Sequence, residues 1–274
     1  MLIHLGFDIR HRFDQPTPMV AMLDLREERR ADIVRATPLQ AIPEVPVRQY
    51  HDPFGNLCTR LVAPAGVFGL RADTVVRDDG LPDPVAPDAR ETPVDALPDD
   101  ALVFLLASRY CETDLLVQQA WQLFGHVAPG WSRVQAICDH VHRSIRFGYE
   151  HADSRRGAAG ALQQGRGVCR DFAHSAIALC RCMNIPARYC TGYLGDIGVP
   201  RSDAPMDFSA WFEAYLDGRW YTFDAHHNVP RIGRVLVARG RDAADAAIST
   251  TFGFNTLEKF EVWTDQIADA APAS

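Results

Sequence analysis

The sequence is almost without lysine. Lys259 stands alone among 28 basic side chains, and the others are arginine. That bias reads as codon composition and points to no function. Positive charge is in deficit overall, with 35 acidic residues and a net charge of -7. No basic patch is visible, which argues against nucleic acid and against anionic membrane surfaces as partners. No apolar run reaches the roughly 18 residues that a membrane-spanning helix needs. The start, Met1-Leu2-Ile3-His4-Leu5-Gly6-Phe7-Asp8, lacks a basic stretch followed by an apolar one, so no secretory leader is expected. The glycine fingerprint of a dinucleotide fold is absent after any strand pattern, and so is the Gly-Lys-Ser/Thr of a phosphate loop. Paired metal-ligand spacings are also missing. Cys180 and Cys182 fall on different sides of one helical pattern, so neither a metal nor a cofactor is expected. The 7 cysteines (Cys58, Cys111, Cys138, Cys169, Cys180, Cys182, Cys190) form an odd, irregular set. They fit reduced thiols in a cytoplasm better than a disulfide framework.

What is present describes an ordinary soluble globular chain of 274 residues, 47% hydrophobic, long enough for one large or two modest domains. Residues 1–77 read as β structure. Short apolar or alternating runs recur at 2–9, 19–25, 45–50, 57–63 and 67–76. Turn signals such as Asp52-Pro53-Phe54-Gly55-Asn56 separate them. Residues 78–98 are acidic and proline-rich and read as an extended linker. Residues 99–265 read as helices followed by strands, and 266–274 as a frayed tail. Asp217-Gly218 between two aromatic-rich runs is a strong two-residue hairpin signal. The fold class is therefore α+β: an antiparallel β domain first, then helices packed on an antiparallel sheet.

One stretch carries chemistry: Gly165-Arg166-Gly167-Val168-Cys169-Arg170-Asp171-Phe172. A glycine-rich turn runs into an apolar helix with a cysteine at the junction. The first helical turn has unpaired N–H groups and the positive end of the dipole, which favours a thiolate. Cys169 is thus the candidate nucleophile, and its thiol is expected to ionise easily. A cysteine phosphatase would need arginine six residues later, where Ser175 stands. Asp171 reads as favourable charge in the first turn. His174, five residues on, lies about 140° around the helix from Cys169 and does not share its face.

Further motifs follow in order: Asn184-Ile185-Pro186-Ala187-Arg188-Tyr189, Gly192-Tyr193-Leu194, Ala210-Trp211-Phe212-Glu213, and Arg219-Trp220-Tyr221-Thr222-Phe223-Asp224. Together with the Cys169 stretch they resemble the bacterial transglutaminase-like family of cysteine peptidases. The resemblance spans about residues 100–255. It implies a papain-like core, with a nucleophile at a helix N-terminus and a Cys-His-Asp triad completed from a sheet. It also implies acyl transfer through a thioester, with a peptide or amide-containing small molecule as substrate. Carried over, Cys169 is the nucleophile and Asp224 the acid that orients the base. The family's histidine precedes Ala-Trp, and here that position is Ser209. Serine is no base near neutral pH.

A substitute base lies close by in sequence. With Asp217-Gly218 as the loop, Leu216 pairs with Arg219, and extending the ladder opposes Trp211 to Asp224 and Ser209 to His226. Alternation then puts Ser209, Asp224 and His226 on one face, with His226 as the replacement imidazole. His227 falls on the opposite face if the strand continues, although the register can break after Asp224, and relocation to either histidine stays open. Gln163 or Gln164 is a candidate oxyanion donor, since papain-like folds use an upstream glutamine. Trp211 is a candidate for lining the cleft. Two functions stand: a cysteine-dependent peptidase, amidase or acyltransferase, and an impaired relative that binds peptides or scaffolds proteins.

Overall fold

A computed structural model describes residues 1–268. Its first part holds β1 (Leu2–Phe13), β2 (Thr17–Ala21), β3 (Ile33–Ile42), β4 (Arg48–His51), β5 (Leu57–Ala63) and β6 (Gly66–Arg77). In β1, Ile3, Leu5, Phe7 and Ile9 alternate into the interior, the period-2 pattern of a strand with one face on a core. β3 was not legible in the sequence. It is a sheet edge, exposed along most of its length, and it contains Pro38, which a strand tolerates only at an edge or a bulge.

The chain continues through α1 (Asp99–Leu102), α2 (Thr113–Phe124), α3 (Trp131–Ser144), β7 (Arg146–Phe147), α4 (Ala158–Gln164), β8 (Arg166–Gly167) and α5 (Cys169–Cys182). It then forms β9 (Ala187–Tyr193), β10 (Ser209–Leu216), β11 (Arg219–Phe223), β12 (Val235–Gly240), β13 (Ser249–Thr251) and β14 (Asn255–Ile267). A four-stranded antiparallel sheet in the order β11-β10-β9-β12 forms the floor of this second part. α5 packs on β10 and β9, burying Phe172, Ala176, Ile177 and Leu179 against Ala210, Phe212 and Ala214. Asp217 and Gly218 both have positive φ, 48° and 81°, as the expected two-residue turn demands. The α+β class and the helix-on-antiparallel-sheet core are as the sequence implied.

Two boundaries are corrected. The core does not extend as one unit to residue 265. β14 runs antiparallel along all of β1, from Leu2 opposite Ile267 to Phe13 opposite Asn255, and β13 pairs with β2. The chain therefore returns to complete both N-terminal sheets. Gln266 and Ile267 belong to β14 rather than to a tail; residues 269–274 of that expected tail lie outside the described residues. The segment 78–98 is likewise no free linker. Ala89 accepts the Trp131 N–H, Arg90 accepts the Asp217 N–H, and Glu91 bridges to Leu216. It is a strap across the second part, held by backbone hydrogen bonds that proline-rich composition does not announce.

The only lysine has a structural place. Lys259 on β14 reaches the buried Asp8 on β1 at 2.8 Å. A hydrogen bond from Arg10, aided by Lys259, lowers the Asp8 carboxyl to about 2 despite its burial. Beside it, Gly6 admits no side chain. A Cβ there would sit 2.4 Å from the Ala72 carbonyl oxygen and 2.4 Å from the Trp263 ring. Gly6→Ala should therefore cost about 1–3 kcal/mol of stability, because strands or indole must give way. Thermal unfolding checks this, and an unchanged midpoint would contradict the seating of β14 on β1.

Candidate active site

The approach to Cys169 is built from backbone constraints. Gly165, at φ 64°, ends α4 in the left-handed region and turns the chain into β8, a conformation that favours glycine. β8 pairs in parallel with β7, bringing Phe147 opposite Gly167. Gly167 has no room for a side chain, since a Cβ would lie 2.6 Å from that of Asp171. The buried Asp171 carboxylate reaches back to accept the Val168 N–H at 2.8 Å and pairs with Arg156 at 2.7 Å. This closes the first turn of α5 and sets Cys169 as its first residue. All seven cysteines are free thiols; six are buried and Cys169 is half-buried.

Cys169 opens onto a cleft of about 650 Å³, whose walls include Asp207, Ser209, His226, His227 and, from β14, Trp263. The expectation of an easily ionised thiol is corrected here. Burial first, then Asp207 and Asp224, push the Cys169 thiol up to about 12. Hydrogen bonds from the Ala210 and Arg170 N–H groups pull the other way but are outweighed. The helix N-terminus supplies only a fraction of a charge, against lost hydration and two carboxylates. The resting sulfur is a neutral thiol.

The base candidates sit in a turn, not on a strand. The observed ladder follows the expected register from Leu216–Arg219 to Phe212–Phe223 and stops there. The extension that would oppose Ser209 to His226 is not formed. Asp224 ends it: its Oδ1 accepts the N–H groups of His226 and His227 at 2.9 and 3.0 Å, and its carbonyl accepts the Asn228 N–H. These bonds curl the chain into a turn. His142 on α3 donates from Nδ1 to the His226 carbonyl at 3.0 Å, and Asn228 donates to Asp139 on the same helix at 2.9 Å.

Within this turn the two histidines differ. Nδ1 of His227 lies 2.8 Å from Oδ2 of Asp224. Burial alone would raise the Asp224 carboxyl. The Arg234 guanidinium, then His227 itself, hold it well below the usual carboxylate range. An ionised carboxylate can only accept, so Nδ1 of His227 carries the proton and Nε2 is left as the basic nitrogen. His226 instead stacks on Phe147, with ring centroids 4.3 Å apart, and leans on Phe172 at 5.1 Å. Its Nδ1 is buried without a partner. Burial, reinforced by His227, lowers it to about 4, so it is a neutral ring at ordinary pH.

The remaining sequence candidates fall elsewhere. Gln163 and Gln164 are exposed and border neither Cys169 nor its cleft, and Gln164 takes a hydrogen bond from Arg156. Trp211 does not line the cleft. Strand alternation turns it away from α5 into a small cluster with Cys190 and Leu236, where the Arg234 guanidinium stacks over it at 5.0 Å. His174 is buried against Tyr110 and accepts the Ala243 N–H. Asp224, His226 and His227 offer ligand atoms within 4.8 Å of one another. A guanidinium 2.8 Å from Asp224 Oδ2 repels a cation, so this trio is built as a hydrogen-bonded pair rather than a metal cage. Sequence reasoning missed Asp207 and Arg234. Neither carries a local signal, because each reaches the site only through tertiary packing.

Two measurements follow. Iodoacetamide should alkylate Cys169 ahead of the other thiols because it alone is accessible, and its rate should climb about tenfold per pH unit from about pH 6 to about pH 9, as expected for a raised thiol. A plateau near neutrality, the mark of a preformed thiolate, would contradict the electrostatics. His226 gives the second. A histidine lowered from 6.5 to about 4 stabilises the fold fully above 6.5 and loses that contribution as pH falls toward 4. Unfolding free energy should drop by up to about 3 kcal/mol across that window, and His226→Phe should flatten the dependence.

The chain is similar to several known proteins. The sequence profile of the transglutaminase-like superfamily matches residues 120–225. A crystal structure of a "putative cysteine protease" from Cytophaga hutchinsonii superposes with a TM-score of 0.85 at 32% identity, covering 99% of this chain and 93% of that one. The periplasmic domain of TgpA from Pseudomonas aeruginosa aligns at 13% identity with a TM-score of 0.40, covering 82% of this chain and 88% of that one. An uncharacterised Mycobacterium leprae protein is 38% identical over 94 residues, 32% of this chain and 32% of that protein, so the matched segment spans about a third of that relative. With near-complete coverage by a relative about one-third identical, and with a cysteine at the helix N-terminus facing a sheet, the chain belongs to the transglutaminase-like superfamily.

Proposed function

We propose that the chain is a cysteine-dependent acyl-transfer enzyme in which His227, oriented by Asp224, is the base for Cys169. The observation that carries this reading is the 2.8 Å contact between His227 Nδ1 and the ionised Asp224, with His227 and Cys169 on one cleft. The Cys169 sulfur attacks a carbonyl carbon of an amide or peptide as its proton passes to His227 Nε2. The tetrahedral adduct collapses, the C–N bond breaks, and the amine leaves with that proton. A thioester remains. Water or a primary amine then attacks it, gives its proton to Nε2, and releases the acid or new amide together with the thiol. A neutral resting thiol suits this sequence, since the proton moves only as sulfur attacks. Ser209 replaces the family's histidine as a cleft-wall hydroxyl. The name given to the Cytophaga relative supports thiol chemistry, and seven unpaired thiols support a reducing, cytoplasmic setting.

The second reading is an impaired relative that binds a peptide without cleaving it. Ser209 at the family's histidine position favours it. Acylation of Cys169 by p-nitrophenyl acetate, followed by p-nitrophenolate release and by the mass of the acyl-enzyme, separates the two. Cys169→Ala should abolish acylation and His227→Gln should slow it at least about a hundredfold, while His226→Phe should leave most of it. The reverse order for the two histidines would assign the base to His226. No acylation in the parent, with acylation gained in Ser209→His, would establish the binding reading.

A further inference from the structure

The strap that crosses the second part enters the site through one residue. Asp83 lies six residues past the end of β6, far in sequence from Cys169 and the turn at Asp224. Its N–H donates to the Arg231 carbonyl at 2.9 Å, and Pro82 bridges to Ile232. Its Oδ2 accepts the Arg231 N–H at 2.9 Å and the Arg234 Nε–H at 2.8 Å. Arg234 passes this contact on, donating from Nη2 to Asp224 Oδ2 at 2.8 Å, the same oxygen that holds His227 Nδ1. All three charged groups are shielded, with side-chain exposures of 14% for Asp83, 6% for Arg234 and 3% for Asp224. Arg234 is pinned from a further side by the Trp211 ring.

The geometry of the guanidinium makes Asp83 matter. Nε–H and Nη2–H form one edge of the fork, the edge that grips a carboxylate with two parallel bonds. Here that edge is split between two carboxylates, one bond to each. With Asp83 absent, both donors are free to close on Asp224. Such a bidentate pair would draw Asp224 Oδ2 toward Arg234 and away from His227. His227 would then lose the acceptor that keeps the proton on Nδ1 and the lone pair on Nε2.

We infer that Asp83 is a positioning residue: by holding the Nε–H of Arg234 it keeps Asp224 available to His227 and so selects the imidazole tautomer that faces Cys169 with a free Nε2. The inference rests on the reading of His227 as the base for its consequence in catalysis, but the tautomer itself can be measured without any activity. Asp83 touches neither the thiol nor the cleft, so a loss on its substitution must pass through Arg234 and Asp224.

The test uses the full chain labelled with 15N-histidine. In the parent, the His227 ring should show a protonated Nδ1 and an unprotonated Nε2. In Asp83→Ala, which removes the acceptor, the two 15N shifts should move toward each other as the Nε2–H tautomer becomes populated, and acylation of Cys169 by p-nitrophenyl acetate should slow roughly tenfold, the scale at which partners of an active imidazole act. Asp83→Glu, which retains the charge and an acceptor, should restore both. A purely structural role would lower the melting temperature without changing the ring tautomer. If Asp83→Ala does not fold, Arg234→Lys, which cannot form the bidentate fork, supplies the contrast: it should keep the parent tautomer, because no fork then closes on Asp224. An unchanged His227 tautomer in folded Asp83→Ala, or a shifted one in Arg234→Lys, overturns the inference. A shifted tautomer in Asp83→Ala alongside a parent that never acylates would uphold it and remove the enzymatic reading instead.

Discussion

The buried carboxylate of Asp224 is the interaction on which the site depends. It accepts two backbone N–H groups, one imidazole and one guanidinium, and together these use both of its oxygens. Burial of an unpaired carboxylate would be prohibitive, and removing one partner from such a set typically costs about 3–5 kcal/mol. Here the partners are also the groups proposed to act. The backbone bonds end β11 and form the turn, and the turn brings two adjacent histidines to the cleft in different environments. One is tied to the carboxylate and keeps a free nitrogen. The other is wedged among aromatic rings and stays neutral.

The thiol is the counterpart of that carboxylate. A cysteine at a helix N-terminus is commonly read as activated, and the helix dipole does act in that direction. In this chain the dipole is the smaller effect. Loss of hydration and the negative charges of Asp207 and Asp224 act together and raise the thiol. The same Asp224 that pairs with His227 Nδ1 therefore disfavours a free thiolate. In the proposed mechanism the proton accordingly stays on sulfur until a base takes it.

The N-terminal β part is more than an appendage to this arrangement. β14 returns from the second part to pair with β1, and its Val262, Trp263 and Asp265 form one wall of the cleft. The strap at 78–98 runs back over the core and delivers Asp83 to Arg234. The cleft is thus walled by the second part and by β14, which pairs along β1 of the N-terminal part. The pairing of β1 with β14 carries the buried Asp8, which accepts from Arg10 and Lys259.

Much of this was legible in the residues themselves. Local signals determined the helix that starts at Cys169, the Asp217-Gly218 hairpin with its register, the α+β class and the family resemblance, because turn chemistry, capping and periodicity act over a few neighbours. The edge strand β3 escaped because exposure on both faces erased its alternation. What only the tertiary structure decided was longer in range. It ended the ladder at Phe223, since Asp224 found its backbone partners in a turn, and so it tied His227 rather than His226 to the carboxylate. It buried Trp211 beneath Arg234 and left Gln163 and Gln164 in solvent. It also reversed the expected ionisation of Cys169, because a pKa reports burial and charges gathered from Asp207 and Asp224, which the linear sequence keeps apart. The sequence alone determined that a cysteine stands where a nucleophile belongs; the fold decided that its sulfur is protonated and which imidazole is paired with Asp224, because those depend on groups brought together only by packing.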